Sequence, residues 1–325
     1  MSILVTGGAG YIGSITVKSL RESSEDIIIL DDLSSGHKQA AQGCKLIEGD
    51  IGDDDLLTSI FTEYKIEGVI HFAAKKSVEE SVSEPSKYYD NNVVKTKILI
   101  DTMLQNDINK IVFSSTAAVY GEPDISVMKE DQITAPINPY GETKLITEKM
   151  MKDYDKAYGL KYCSLRYFNA AGADSSGDLG PADPKEKNVI PLLIRAAIDS
   201  KKGFTVFGDD YDTRDGSCVR DYIHVMDLAT AHLKALKYLQ GDKSESQIIN
   251  LGSNEGYTVL ELIKVTEEVT GKKLDYQIGP RRAGDPASLI ASNKKAKEIL
   301  KWEPEYSDIH QIIKDAYNWE TNKKY

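Results

Sequence analysis

The stretch Ile3-Leu4-Val5-Thr6-Gly7-Gly8-Ala9-Gly10-Tyr11-Ile12-Gly13 leaves the chain few folds to choose from. It reads as a short β-branched strand, a glycine turn and the first turn of a helix. Gly7, Gly10 and Gly13 lack a Cβ, so the backbone can turn sharply, bring N–H groups against a diphosphate and pack the helix close to the strand. With Tyr11 and Ile12 they are candidate contacts to a dinucleotide. The G-x-x-G-x-x-G spacing differs from G-x-G-x-x-G, so the surrounding pattern has to decide. Ile12 to Leu20 has helical apolar spacing, and Ile27 to Leu30 reads as a second buried strand ending at Asp31, which completes a βαβ unit. Asp31 lies 18 residues past Gly13, where this arrangement places a carboxylate that accepts hydrogen bonds from a ribose. Asp32 beside it and the lack of an arginine in that turn would repel a 2′-phosphate. The expected cofactor is NAD rather than NADP.

A chain of 325 residues can bury a large core and predicts about two domains. The net charge of -11, without a cluster of Lys and Arg, argues against a nucleic-acid partner, so any bound phosphate must be met by local donors. Met1-Ser2 runs straight into the first strand, and no apolar run reaches the length of a membrane span, so a cytoplasmic protein is expected. Cys44, Cys163 and Cys218 are far apart and lack ligand spacing, which predicts reduced thiols and no metal.

Strand and helix signals go on alternating. Lys45 to Asp50 and Gly68 to Ala74 read as strands, with Leu56 to Tyr64 a helix between them. Ligands of open parallel sheets bind beyond the strand C-termini, so Asp50, Ile51, Phe72, Ala73 and Ala74 are placed along the cofactor. Lys76 either reaches a phosphate or is a solvated lysine. His71, ending an apolar strand, is read as a packed residue. Tyr88 to Leu104 has a long helical pattern containing Asn91 and Asn92, poor mid-helix residues that need a partner, and Asn91 is taken to face the cofactor. Lys110 to Phe113 is a strand leading to Ser114-Ser115-Thr116, three hydroxyls at the sheet end, of which Ser114 is assigned to the cofactor and Thr116 to the substrate.

Tyr140 and Lys144 stand four residues apart in Tyr140-Gly141-Glu142-Thr143-Lys144, on one face of a helix and one turn from each other. A phenol with a pKa near 10 is a poor base at neutral pH, and an ammonium held nearby stabilises the phenolate. Tyr140, Lys144 and Thr116 are the candidate catalytic residues.

These segments together resemble the extended short-chain dehydrogenase/reductase family. The resemblance narrows in the second half, at Leu165 to Ala173, Phe207 to Tyr211, Asp215 to Val225 and Arg281-Arg282-Ala283-Gly284-Asp285-Pro286, which are similar to the UDP-hexose 4-epimerase members. It spans Ser2 to about Trp302. It implies a Rossmann-like doubly wound α/β fold with tightly bound NAD, and interconversion of UDP-galactose and UDP-glucose through a transient 4-keto sugar, in galactose metabolism. It further assigns Tyr167 to the cofactor, Asn169, Asn188, Arg220 and Arg282 to the UDP-sugar, and the backbone at Val206 and Phe207 to the uracil. Asp285 accepts from a sugar hydroxyl or fixes its loop through Arg281. Leu289 falls where residue bulk gates N-acetylated sugars. A homodimer through helices at Tyr88–Leu104 and Thr143–Tyr158 is implied, the alternative being that those apolar faces are internal. Ile15 replaces a common His, Glu142-Thr143 a common basic-small pair, and Thr116 a Ser found in some members.

The expected domains are residues 1–169, with returns near 225–253, for NAD, and a discontinuous smaller α/β domain over 170–325 for the UDP-sugar. Two other readings remain. A nucleotide-sugar 4,6-dehydratase on the same scaffold looks to have Asp-Glu after the Thr, where this chain has Ala117-Ala118. A non-catalytic NAD-sensing protein would have no need of Thr116, Tyr140 and Lys144 together.

Overall fold

The computed structural model describes residues 2–23, 26–183, 187–282 and 285–325. Readings that fall on Met1, on Pro184 within the expected second domain and on Ala283 and Gly284 lie outside them.

The chain begins β1 (Ser2–Thr6), α1 (Tyr11–Glu22), β2 (Asp26–Asp31), β3 (Lys45–Glu48), α2 (Asp54–Glu63) and β4 (Ile66–His71). Helices α3 (Val78–Ser83), α4 (Pro85–Tyr89) and α5 (Lys95–Gln105) lead to β5 (Lys110–Thr116). Next come β6 (Val127–Met128), α6 (Pro139–Tyr158), β7 (Lys161–Tyr167), β8 (Asn169–Ala171), α7 (Val189–Ile198), β9 (Phe204–Phe207), β10 (Val219–Arg220) and β11 (Tyr222–His224). The rest runs α8 (Val225–Gln240), β12 (Gln247–Leu251), β13 (Tyr257–Thr258), α9 (Val259–Thr270), β14 (Tyr276–Gly279), β15 (Ser288–Ala291) and α10 (Ile309–Thr321).

Side-chain caps set most of the helix starts that the site depends on. Asp53 accepts the Leu56 N–H to start α2, and Asn138 accepts the Gly141 N–H at 2.9 Å to start α6, where Pro139 supplies a preset φ. Gly159, at φ +74°, ends α6 in the left-handed region. Helix α1 is different: its N-cap is Gly10, with no side-chain cap.

Seven strands form one sheet in the order β12-β7-β5-β4-β1-β2-β3. Strand β1 pairs in parallel with β2 and β4, as does β2 with β3 and β4 with β5. The chain runs outward from β1 through β2 and β3, then restarts at β4 on the other side of β1. That reversal is the switch point where doubly wound sheets bind ligands, beyond the strand C-termini. Strands β1 and β4 are buried along nearly their whole length, as in a sheet covered by helices; Leu4, Ile28, Val69 and Phe113 share a core with Leu57, Leu99, Ile100 and Met103 from the covering helices.

Contacts divide the protein into two units. The first runs to Gly121 and adds Ile133–Arg166 and Ala229–Ile249; the second is Glu122–Gln132, Tyr167–Leu228 and Asn250–Tyr325. The second unit holds the sheets β13-β10-β15-β6, β11-β8 and β14-β9. Its core joins Leu193, Ile194, Leu262, Ile263, Ile312 and Ile313 of α7, α9 and α10. The segment 122–132 joins this unit because β6 adds to β15 through Ile290 opposite Val127, a two-residue pairing too short to read as sequence periodicity.

The single helical pattern over Tyr88–Leu104 is in fact α4 and α5 joined by a wide π turn at Asp90–Val94. Among the described residues no helix is long and apolar enough to cross a membrane.

Candidate active site

In the first unit the glycine turn closes tightly on its neighbours. Gly7, at φ +68°, lies against the end of β4: a Cβ there would sit 2.6 Å from Ala73 N. A Cβ on Gly13 would sit 2.2 Å from Gly7 O, so α1 can pack this close to the turn only with glycine. A Cβ on Gly10 would meet Gly7 O at 3.3 Å and open space otherwise, above the uncapped start of α1. Tyr11 and Ile12 form that first turn, both partly exposed. This is a ready anion site.

Asp31 ends β2 buried, its Oδ2 accepting the Ala9 N–H and its Oδ1 the Leu33 N–H, both at 2.9 Å. Burial pushes its carboxyl up, and the two backbone donors act against that. A carboxylate offers about four lone-pair sites, so the pair of acceptors a ribose diol needs is left over. Asp31 therefore ties the glycine turn as well as presenting acceptors, a role the sequence pattern alone did not suggest. Exposed Asp32 accepts from Ser34 N–H. Asp50 accepts from Gly52 N–H and pairs with Lys95 Nζ at 2.5 Å, while Ile51 is buried beside it. Phe72, Ala73 and Ala74 follow β4, partly exposed, with the Phe72 ring 4.6 Å from that of His232. Cradle, uncapped helix and carboxylate fit a dinucleotide.

At the end of β5 the three hydroxyls separate. Thr116 donates to the Tyr140 phenol and accepts from Ala118 N–H. Ser115 turns away, donating to Glu148 Oε1 at 2.5 Å. Buried Ser114 offers its carbonyl to Lys144 Nζ at 2.7 Å. The strand's end carbonyl is the acceptor the buried ammonium takes, which seats it one helical turn from Tyr140. Burial pushes the Tyr140 phenol above 10, with Thr116 pulling back, and pushes Lys144 down to about 7, with Glu148 pulling back. The ammonium also lies 4.7 Å from the centre of the Phe113 ring.

His71 is fully packed, bonded to Thr6 Oγ1 at 2.6 Å and Thr96 Oγ1 at 3.0 Å; burial, then the charge of Lys144, pushes it down to about 3. It is a neutral core residue. Lys76 is exposed, whereas Lys75 Nζ donates to Ser34 Oγ. Of the two asparagines, Asn91 is partly exposed and donates to Asn92 Oδ1. Asn92 is buried and holds both the N–H and the carbonyl of Lys75, and its amide also reaches Thr143 Oγ1.

The second unit gathers the other candidates. Arg220 in β10 lies beside Leu289 in β15 and forks to its own strand's Val219 carbonyl at 2.7 Å and to Asp285 Oδ1 at 2.9 Å. Arg282 stacks 3.9 Å over the Phe207 ring. Asp285 is therefore fixed by Arg220, not Arg281; Arg281 grips Asp210 at 2.6 Å and lies over Tyr211. Val206 is buried, and it and Phe207 pair with Ile278 and Gly279 of β14. Asn169 donates to the Asp221 carbonyl at 2.7 Å, Asn188 is the N-cap position of α7, and Tyr167 is buried at the end of β7.

A family model described as the NAD dependent epimerase/dehydratase family matches residues 3–252. The chain belongs to this family. A UDP-glucose 4-epimerase of Halalkalibacterium halodurans is 52% identical over 98% of this chain and 95% of that protein. A UDP-glucose 4-epimerase of Brucella ovis in complex with NAD superposes with a TM-score of 0.95 at 43% identity, covering 97% of each chain. The enzyme of that name from Bifidobacterium longum, in complex with NAD+ and UDP, gives 0.91 at 39% identity, covering 99% of this chain and 98% of that one.

In this member of the NAD-dependent epimerase/dehydratase family, the sequence marks Asn92 as needing a partner without saying which, and gives no sign, beyond a spacing, of a role for Glu148 and Arg166 beside the candidate catalytic residues. Asn92 clamps the loop after β4. Glu148 and Arg166 form a buried pair behind Lys144, and the spacing is that Glu148 continues the four-residue step of Tyr140 and Lys144 along α6.

Proposed function

We propose that this chain is a cytoplasmic UDP-glucose 4-epimerase that interconverts UDP-galactose and UDP-glucose in galactose metabolism. The observation that carries the chemistry is the Thr116–Tyr140 hydrogen bond, with Lys144 one turn along the same helix face. NAD, when bound, supplies reversible two-electron oxidation at sugar C4. Tyr140, as phenolate, accepts the proton of the sugar 4-OH, directly or through Thr116. Loss of that proton together with the two-electron oxidation gives a 4-keto sugar; held by its UDP, the sugar turns the other face of C4 to the cofactor site, and when it is reduced on that face Tyr140 returns the proton to O4, so C4 is inverted with no net oxidation. Lys144 keeps the phenolate accessible by its charge.

The glycine turn, Asp31, Asn91 and Tyr167 are proposed to hold the cofactor. Arg220 and Arg282 are proposed to take the two phosphates, their planar forks matching phosphate oxygens, with the backbone at Val206 and Phe207 holding the uracil and Asn169, Asn188, Asp285 and Leu289 around the sugar nucleotide. A homodimer is proposed through α4–α5 and α6, supported by the exposed Tyr89, Val94 and Tyr158 on those helices.

The test is proton NMR of the sugar anomeric signals after incubating purified protein with UDP-galactose and no added cofactor. UDP-glucose appearing toward an equilibrium mixture is expected. A 4-keto-6-deoxy product would replace the proposal with a dehydratase, and an unchanged spectrum with NAD added would replace it with a binding role.

A further inference from the structure

Tyr140, Lys144 and Glu148 lie at successive four-residue steps of α6 and so share one face. Two adjacent residues of β5 pin that face. Ser114 offers its carbonyl to Lys144 Nζ at 2.7 Å, and Ser115 donates to Glu148 Oε1 at 2.5 Å. From β7, Arg166 forks onto Glu148, Nε to Oε1 at 2.9 Å and Nη2 to Oε2 at 2.6 Å, while its Nη1 donates to the Tyr120 phenol oxygen at 3.0 Å. Lys144, Glu148 and Arg166 are all at most 3% exposed. An ion pair so deeply buried gives little net stability over apolar packing, so its presence calls for another account.

Its geometry supplies one. A Lys and a Glu one helical turn apart would ordinarily pair directly, drawing the ammonium away from Tyr140. Here both carboxylate oxygens are engaged by Arg166 and one also by Ser115, so Glu148 cannot swing toward Lys144 without giving those bonds up. Its charge still lies one turn behind the ammonium. The titratable and charged groups facing Lys144 are Tyr140 and Glu148 on α6 and His71 on β4, with Arg166 of β7 behind Glu148. His71 is neutral, so Glu148 is the anion nearest to it among these groups.

We infer that Glu148, clamped by Arg166 and Ser115, is a positioning residue that acts through Lys144, holding the ammonium charged and seated at the end of β5 so that it serves Tyr140. The inference rests on the epimerase reading of this site. The Arg166–Tyr120 bond and stack belong to the same device, since they fix the guanidinium plane that holds the carboxylate.

The test is Glu148→Gln in the NAD-loaded enzyme, read by the pH profile of turnover. Charges roughly 6 Å apart at an effective dielectric of about 20 move a pKa by about two units. The alkaline limb of kcat, where Lys144 loses its proton, is expected to move down by about one to two pH units. KM for UDP-galactose should stay within about twofold, because Glu148 is not among the substrate candidates. A second readout is independent of turnover. The phenolate absorbance of Tyr140, taken as wild type minus Tyr140→Phe, should titrate at higher pH in the Glu148→Gln background. An unmoved limb and an unmoved phenolate titration in folded protein overturn the inference and leave the pair purely structural. Should Glu148→Gln fail to fold because Arg166 is left unpaired, the double variant Glu148→Gln/Arg166→Gln removes both charges; a limb lowered by about one unit supports the inference, and an unmoved one overturns it. Normal turnover in Tyr140→Phe would instead sink the epimerase reading itself, so the two failures are distinguishable.

Discussion

Replacing Lys144 with Met should make the protein more stable and nearly inactive. The ammonium is 3% exposed, and burial brings its pKa down to about 7 from an ordinary 10.5. For a lysine whose folded pKa is depressed, the unfavourable contribution is complete below the folded pKa and fades as pH rises toward the unfolded one. At pH 7 the shift corresponds to about 4 kcal/mol of destabilisation, at about 1.4 kcal/mol per pKa unit. Methionine removes that cost and keeps a sulfur near the Phe113 ring, but it cannot donate to the Ser114 carbonyl, which costs about 1–2 kcal/mol. The net expectation at pH 7 is a gain of about 2–3 kcal/mol, seen as a higher urea midpoint in nucleotide-free protein. By about pH 10 wild-type Lys144 is neutral in the folded state and still mostly charged in the unfolded one, so only about 1 kcal/mol of the cost is left, and the lost hydrogen bond should cancel or outweigh it. Turnover should fall by at least about a hundredfold at all pH values. A variant less stable than wild type at pH 7, with a stability difference that does not change between pH 7 and pH 10, would refute the burial argument.

Tyr140→Phe removes the proton acceptor and the Thr116 bond; turnover should drop by roughly 10²–10⁴-fold while calorimetry shows UDP binding within about twofold of wild type, and near-normal turnover would contradict its role. Gly13→Ala places a methyl 2.2 Å from Gly7 O and 2.9 Å from Gly8 Cα, backbone that has to shift, so the purified variant should release no NAD on acid extraction; wild-type stoichiometry would show that the cradle tolerates the change. Asp221, buried with Ser253 and Ala291 donating to it, is pushed up to about 6 by burial. A carboxyl with a raised folded pKa destabilises the fold at pH 7 and does so less as pH falls through 6, so the stability difference between wild type and Asp221→Asn should move in favour of wild type by about 1.4 kcal/mol from pH 7.5 to pH 5; no change in the difference would mean that Asp221 titrates normally.

The first βαβ unit was legible because its signals are local: β-branched runs, glycines without room for a Cβ, and a carboxylate at the strand end. Helices α7, α9 and α10 are written just as locally, each with apolar residues at helical spacing along its buried face. The small sheet of the second unit was not legible, since β6, β10 and β13 are two residues each and exist only because a distant strand supplies their partners. The candidate trio Thr116, Tyr140 and Lys144 stands out by type and spacing, yet the hydrogen bonding around it does not. Nothing in the string Ser114-Ser115-Thr116 says that the middle hydroxyl turns to Glu148, or that Lys144 takes a carbonyl. Arg281 was one of two partners expected for Asp285, the other a sugar hydroxyl; β10, running beside β15, brings Arg220 to it.

The wide turn at Asp90–Val94 has a consequence for how this helix can change over time. A π turn carries one residue more than the α-helix needs, so the segment before it and the segment after it are rotated by about 100° relative to a continuous helix. That phase offset lets Tyr88 face the core on one side, Asn92 reach the Lys75 backbone, and Thr96, Leu99 and Met103 face the sheet on the other. Deleting a single residue there would leave the helix unbroken but turn its two halves into one register. The amide clamp and the apolar stripe would then compete for the same direction, which makes this short segment the place in the helix where length, rather than residue type, is under constraint.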